Sequence, residues 1–284
     1  MKSNDTKDLI IGVDVGQNSI RVILADKDAK ILGRNIIPAS GLSARVIGSD
    51  SLDIIHELVK KYKVTRDRIM AIGVGIENDK YLPIGKRIEK EFHAGTVVEE
   101  SSVCAAFGEK LLNPAASINN LLYIYSSLGR GVLLDPRGQP DGRSKYLSAW
   151  NEALGIARLA KSEVARGVGT TIVDLAKGQV DNITEEVVIK AARQNDEVAS
   201  GIIHSVGLNL GLRIAYLVNL YKPGAVMVCG GVEKAGNLVL DPIEKTVKKW
   251  ASADLADKIK IVSGVLGEDA VSLGAAMLAS KKAR

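Results

Sequence analysis

The chain has 284 residues, enough for one large domain or two ordinary ones with a sizeable core. Hydrophobic residues make up 46% and charged residues 25%, a soluble globular composition, while aromatics at 4% argue against a base-stacking nucleic-acid surface. The net charge of +5 is spread over helix faces and the Lys281–Arg284 tail, too diffuse for a DNA footprint. Cys104 and Cys229 lie in apolar contexts with no pairing pattern, as buried thiols in a reducing compartment do. A polar N-terminus and no apolar run read as long enough to span a bilayer predict a cytoplasmic protein with no membrane role.

Residues 9–25 read as a buried strand, a tight turn at Gly16-Gln-Asn-Ser19 and a returning strand. Asp14 precedes the turn and has Gly12 and Gly16 on either side. Glycines let a backbone approach a ligand, turn N–H groups form anion nests, and a carboxylate beside such a nest suits the Mg²⁺ of a nucleotide. An ordinary hairpin whose Asp and Asn serve the turn is the competing reading.

A second turn at Asp26–Ala29 and a strand over Lys30–Ile37 follow. Ser51–Tyr62 is predicted as an amphipathic helix capped by Ser51, with His56 a partly exposed structural residue. Ile69–Ile76 is a strand ending in Gly73-Val-Gly75, then come a helix over 83–92, a strand at Thr96–Glu99 and a small-faced helix over Ser101–Leu112. Pro114 and Asn119-Asn120 mark a boundary, after which Leu121–Tyr125, a glycine turn around Gly129-Arg130-Gly131 and Val132–Leu134 repeat the opening pattern as a coarse duplication. Helices dominate from Ala149, the longest being Asp196–Tyr221, which Lys222-Pro-Gly stops. Ala225–Cys229 is a buried strand entering Gly230-Gly231, and a helix (238–250), a strand (258–262) and a last helix (268–280) predict α/β architecture with parallel pairing.

Three glycine signals thus follow strands: Asp14-Val-Gly16, Gly129-Arg-Gly131 and Gly230-Gly231. Their order resembles the two phosphate loops and the adenosine loop of the sugar kinase, actin and heat-shock-70 ATPase superfamily. The stretches Ile10–Gly16, Met70–Gly75, Val97–Glu109, Leu208–Pro223, Val226–Val232 and Leu266–Ala276 resemble more specifically the ROK family of sugar kinases, sugar-responsive repressors and unassigned reading frames. The resemblance implies an α/β fold of two ribonuclease-H-like, actin-like ATPase domains with a cleft between them, divided as residues 1–115 and 116–284, the last helix being free to pack back on the first domain. It implies a nucleotide, ATP or ADP with Mg²⁺, held by Asp14, Gly16, Asn18, Ser19, Gly129, Arg130, Gly131, Gly230 and Gly231, Asp14 being the Mg²⁺ contact. It also implies a homodimer or higher homo-oligomer. Arg130 could grip a phosphate bidentately or form a surface ion pair, and the Gly230-Gly231 pair could admit an adenosine or serve only strand-to-helix packing.

The chain departs from the family's kinases at several points. Their Asn-Asp pair before the small-residue helix, where the Asp is the base, aligns with Glu100 and Ser101. A neutral hydroxyl is no base at pH 7, and Glu100 lies one residue off. Asn78-Asp79 reads as loop, Gly75–Pro83 skips a sugar-binding segment, and 135–148 lacks the His and Cys of a zinc loop, so no zinc is expected. The phosphate loops are also altered: Gly16-Gln-Asn-Ser19 stands where Gly-Gly-Thr is usual, so Gln17 adds a side chain, and Leu128-Gly-Arg-Gly131 stands where Gly-Thr-Gly is usual. Repressors of the family carry a helix-turn-helix ahead of the position of Asp14, and too few residues precede it here, so no direct DNA binding is expected. The first function expected is therefore a non-catalytic regulator, sensor or scaffold that retains nucleotide binding, with no catalytic residue; the second is an active ATP-dependent sugar kinase of glucokinase type, with Glu100 or Asp79 as base.

Overall fold

A computed structural model describes residues 8–16, 18–116, 120–126, 129–142, 147 and 155–283. Gln17, Leu128, and residues 143–146 and 148 of the expected sugar- and zinc-loop stretch lie outside the described residues. The chain divides into two compact units: residues 1–117 together with 265–284, and residues 118–264.

The first unit is a five-stranded sheet with helices on both faces. β1 (Leu9–Val15), β2 (Ser19–Asp26) and β3 (Ile31–Pro38) form an antiparallel meander. α1 (Ala44–Lys61) leads to β4 (Ile69–Ile76), and α2 (Pro83–Phe92) to β5 (Gly95–Glu100). β4 and β5 run parallel to β1, giving the order β3-β2-β1-β4-β5. α3 (Ser101–Leu112) leaves β5 directly. Alternation along β1 sends Leu9, Ile11, Val13 and Val15 into the core under α1 and α2.

The first helix begins earlier than the sequence suggests. Ser43, not Ser51, caps α1, its Oγ accepting from the Val46 N–H at 3.4 Å. Ser51 is buried mid-helix and its hydroxyl donates to the Ile47 carbonyl at 2.7 Å. Gly48, a weak helix former, lies in this added turn and faces α2, where a Cβ would meet the Arg87 guanidinium at 2.5 Å.

The second unit repeats the plan. β6 (Leu121–Tyr125) pairs antiparallel with β7 (Arg130–Leu134). Then come α4 (Ile156–Ala165), α5 (Thr171–Leu175), α6 (Glu185–Arg193) and α7 (Glu197–Tyr221). β8 (Ala225–Cys229), α8 (Asn237–Trp250), α9 (Ala253–Ala256) and β9 (Lys260–Ser263) complete the unit. The order β7-β6-β8-β9, with β8 and β9 parallel to β6, reproduces β2-β1-β4-β5 strand for strand. The duplication expected from the repeated glycine turns is real at the level of topology. α7 starts at Asp196, whose carboxylate accepts from the Ala199 and Thr171 N–H groups at 2.8 and 2.7 Å. By length and composition α7 is apolar enough to cross a membrane, contrary to the expectation that no run reaches that length. It is instead the central core helix of this unit: Gly207 and Gly211 lie under Pro242 and Thr246 of α8 so closely that a Cβ on either would come within 2.6 Å.

The last helix, α10 (Ala270–Ala283), returns to the first unit and lies across β1 and β4 beside α3. A Cβ on Gly12 would collide with the Ser272 carbonyl, one on Gly73 with the Ala275 carbonyl, and one on Gly274 with the Cys104 carbonyl. The small face of α3 is thus matched by a small face of α10, backbone against backbone. Glu109, buried in α3, fixes the entry: its Oε1 accepts from the Val265 and Leu266 N–H groups at 2.9 and 2.8 Å, and its Oε2 from Asn113 at 3.0 Å.

Because the obstacle at Gly12 is backbone, Gly12→Ala is expected to cost about 2–4 kcal/mol in urea denaturation. Gly95→Ala, where a Cβ meets nothing within 4 Å, is the matched control and should change stability by less than about 0.5 kcal/mol. Equal stability of the two variants would disprove the backbone packing of α10.

Candidate functional site

The carboxyl ends of β1, β4 and β5 lie side by side, and this edge carries the chemistry of the first unit. Asp14 is paired across the sheet with Gly75 on β4 and Arg21 on β2, and Gly75 with Glu99 on β5. Gly75 leaves room: a Cβ there would stand 3.5 Å from both the Ser101 Oγ and the Cys104 Sγ and clash with Val271. The Gly16 N–H closes the turn onto the Ser19 carbonyl at 3.0 Å, and the exposed Asn18 accepts from the Ser40 hydroxyl at 3.2 Å. Asp14, Gly16, Ser19 and Ser101 are therefore gathered at one edge.

Sequence reasoning missed Glu77, the first residue beyond β4. Its N–H reaches the Val15 carbonyl at 3.4 Å, and its carboxylate lies 3.0 Å from where a Gly16 Cβ would be. A side chain at Gly16 would therefore press on Glu77. Of the alternative bases considered from sequence, Glu100 accepts from the Ser102 hydroxyl at 2.5 Å, and Asp79 sits in an exposed 3₁₀ turn opened by Asn78.

The electrostatics of this edge are unbalanced. The Asp14 Oδ1 is buried without a hydrogen-bond partner, and so is the Ser101 Oγ. Burial, then the negative charge of Glu77, push the Asp14 carboxyl up to about 7, against the pull of Arg21. Arg21 is itself held by Glu268 at 2.6 Å and by Asp269 at 3.5 Å, and Arg34 binds Asp269 at 2.7 Å, so the guanidinium beside Asp14 is shared with the start of α10. Burial and then Glu99, Asp14 and Glu100 hold the Cys104 thiol well above its ordinary range, which makes it an inert packing group.

In the second unit, Gly129 precedes β7, Arg130 and Gly131 begin it, and Gly230-Gly231 follow β8; Tyr125 pairs with both Arg130 and Cys229, so the two glycine signals share one end of that sheet. Gly129, Gly230 and Gly231 have φ of 58°, 90° and 109°, a region that side chains rarely adopt. The Gly131 N–H donates to the Leu147 carbonyl at 3.2 Å, and the Gly231 N–H to the Glu233 carboxylate at 2.7 Å. Glu185 faces Gly231, its carboxyl raised by burial and by Glu233. Alongside lies a cavity of about 490 Å³ lined by Glu186, Ile189, Lys190, Arg193 and Lys234. Arg193 closes its rim by donating to the Lys234 carbonyl at 2.5 Å.

A model of the ROK family matches residues 165–282, which contain the glycine pair, this cavity and α10. Over nearly its whole length the chain is similar to a glucokinase of Halalkalibacterium halodurans, at 24% identity covering 96% of the chain and 95% of the relative. It is also similar to a xylose repressor of Caldicellulosiruptor bescii, at 24% identity covering 93% of the chain and 76% of the repressor. Its fold matches that of a ROK family glucokinase from Streptomyces griseus, solved in complex with glucose and AMPPNP, with a TM-score of 0.81 at 23% identity over 96% of this chain and 99% of that one. The ROK, actin-like ATPase fold expected from the motifs is the fold found.

The raised Asp14 carboxyl has a thermodynamic consequence. The unfolded chain loses this proton near pH 4 and the folded chain near pH 7, so between those values the folded state binds more protons and stability falls as pH rises. Asp14→Asn is expected to flatten that slope and to stabilise the ligand-free protein above pH 7 by up to a few kcal/mol. Urea denaturation at pH 4.5, 6 and 8 measures it; parallel pH profiles for the two proteins would refute the burial of an uncompensated Asp14.

Proposed function

We propose that this protein is a member of the ROK family and an ATP-dependent phosphotransferase acting on a sugar hydroxyl, with Glu77 as the base. One observation carries the reading: two carboxylates, Asp14 and Glu77, stand together at a glycine turn, and the Asp14 Oδ1 is buried and unpartnered. Such a pair weakens the fold, so a ligand that relieves it accounts for it better than structure does. A divalent cation bound with a nucleotide fits: Mg²⁺ takes one or two carboxylates and keeps its remaining sites for water and phosphate. Asp14 would hold that cation, which when bound offsets phosphate charge. The turn at Gly16, Asn18 and Ser19 would take the phosphate side. The similarity to glucokinases over the whole chain points to the same substrate class.

In this reading the hydroxyl proton passes to the Glu77 carboxylate as the sugar oxygen bonds to the terminal phosphorus and the bond to ADP breaks. Glu77 replaces the carboxylate that the ROK resemblance would put at Ser101. Its place beside both Asp14 and Gly16 supports this role, whereas Glu100 is held by the Ser102 hydroxyl and Asp79 lies in an exposed turn. The glycine pair after β8, with the cavity next to it, suits a nucleoside-sized ligand in the second unit.

A second reading, a ligand-responsive regulator without turnover, is favoured by Ser101 itself, a buried hydroxyl at the start of α3 that cannot act as a base. ADP release from Mg-ATP with a panel of hexoses and amino sugars separates the two. Turnover is expected with at least one sugar, and Glu77→Gln should lower kcat by roughly 10²–10⁴-fold while leaving the thermal shift with Mg-ATP intact. No ADP release with any sugar, together with a retained thermal shift, would establish the regulator instead.

A further inference from the structure

The side chains around the glycine pair after β8 decide which end of a ligand fits there. The Gly231 N–H, which a phosphate would need, is already taken by the Glu233 carboxylate at 2.7 Å. Glu185, the first residue of α6, faces the same glycine from the other side. A Cβ on Gly231 would stand 3.5 Å from one of its carboxylate oxygens and 3.7 Å from the other, so the carboxylate lies broadside to the bare backbone. Thr184 fixes this start of α6, its hydroxyl accepting from the Val187 N–H at 3.3 Å. Among the described residues nothing hydrogen-bonds or ion-pairs with the Glu185 carboxylate. Burial and then Glu233 raise it, against the pull of Lys234, and the fold gains nothing from a charge placed so.

We propose that Glu185 selects the nucleotide by its sugar, its carboxylate accepting from the 2′- and 3′-hydroxyls of a ribose laid on Gly231. The proposal rests on the nucleotide reading above and adds the group that chooses among nucleotides. Sign rules out the phosphate end: Glu185 and Glu233 repel an anion, and the N–H that would offset them is occupied. Two carboxylate oxygens with no proton can only meet donors. A nucleoside offers two kinds, the ribose hydroxyls and the exocyclic amine of adenine. Ring nitrogens that only accept flank the amine, and they would oppose the second oxygen. A vicinal diol gives each oxygen its own donor. The place also fits: ligands of α/β sheets lie at the carboxyl ends of strands, and an acidic side chain near a glycine turn is a known holder of ribose hydroxyls. A ribose here leaves the base to the neighbouring cavity of about 490 Å³.

Calorimetric titration of the full chain with Mg-ATP, Mg-2′-deoxy-ATP and Mg-ITP tests this. Wild type is expected to bind 2′-deoxy-ATP roughly 10-fold or more weakly than ATP, as a lost hydrogen bond to a charged group implies. Glu185→Ala should weaken ATP more than 2′-deoxy-ATP and bring the ratio towards one. Glu185→Gln, which keeps one acceptor oxygen, should fall between. The ratio of ITP to ATP should be the same in all three proteins, and an unchanged urea midpoint shows that each variant is folded. Equal binding of ATP and 2′-deoxy-ATP by wild type, a ratio that survives Glu185→Ala, or a change in the ITP ratio instead overturns the proposal and leaves the phosphotransferase reading in place. Binding of none of the three nucleotides overturns both.

Discussion

The first unit depends on a backbone-to-backbone contact made by the far end of the chain. α10 approaches β1 and β4 so closely that Gly12 and Gly73 have no room for a Cβ, and it approaches α3 so closely that Gly274 has none either. Such contacts form only between small surfaces, and they gain dispersion energy over their whole length only if the helix arrives in register. Glu109 sets that register by holding the Val265 and Leu266 amides from inside α3. A sheet begun by the first residues is therefore completed by the last ones, and the edge bearing Asp14 is covered on one face by a helix some 260 residues away in sequence, on the order of the whole chain.

This geometry explains what could be read in advance. The strand–turn–strand opening, the small face of α3 and the stop after α7 are local signals, and Leu9–Val15, Ser101–Leu112 and Glu197–Tyr221 match them closely. The start of α1 was hidden because Gly48 and Ser51 have low helix propensity, while the Ser43 cap that opens the helix lies about two turns earlier. Nor could the partners of Gly12 or Gly274 be read, since a glycine in sequence states that space is short without stating what fills it.

The candidate site was legible in the same uneven way. Asp14 and the glycine turns announce themselves by composition. Glu77 does not, because it lies just beyond a strand, in a segment where the family comparison draws attention to missing residues. A topological signal could have found it: in parallel sheets, ligands meet the carboxyl ends of the strands, and Glu77 is the first residue past the carboxyl end of β4, the strand next to Asp14.

The two sheets share a strand order yet differ in electrostatics at corresponding ends. In the first unit Asp14 lies beside Glu77; Glu99 and Glu100 act with Asp14 on Cys104, and the Arg21 guanidinium beside Asp14 is shared with Glu268 and Asp269. In the second, positive-φ glycines adjoin the carboxylates of Glu185 and Glu233 and also a cavity lined by Glu186, Lys190, Arg193 and Lys234. A duplicated fold needs no such divergence for stability, since both cores are closed by apolar side chains. Under the proposed function the carboxylate pair of the first unit would take a cation, and the cavity beside the glycines of the second would take an anion or polar base.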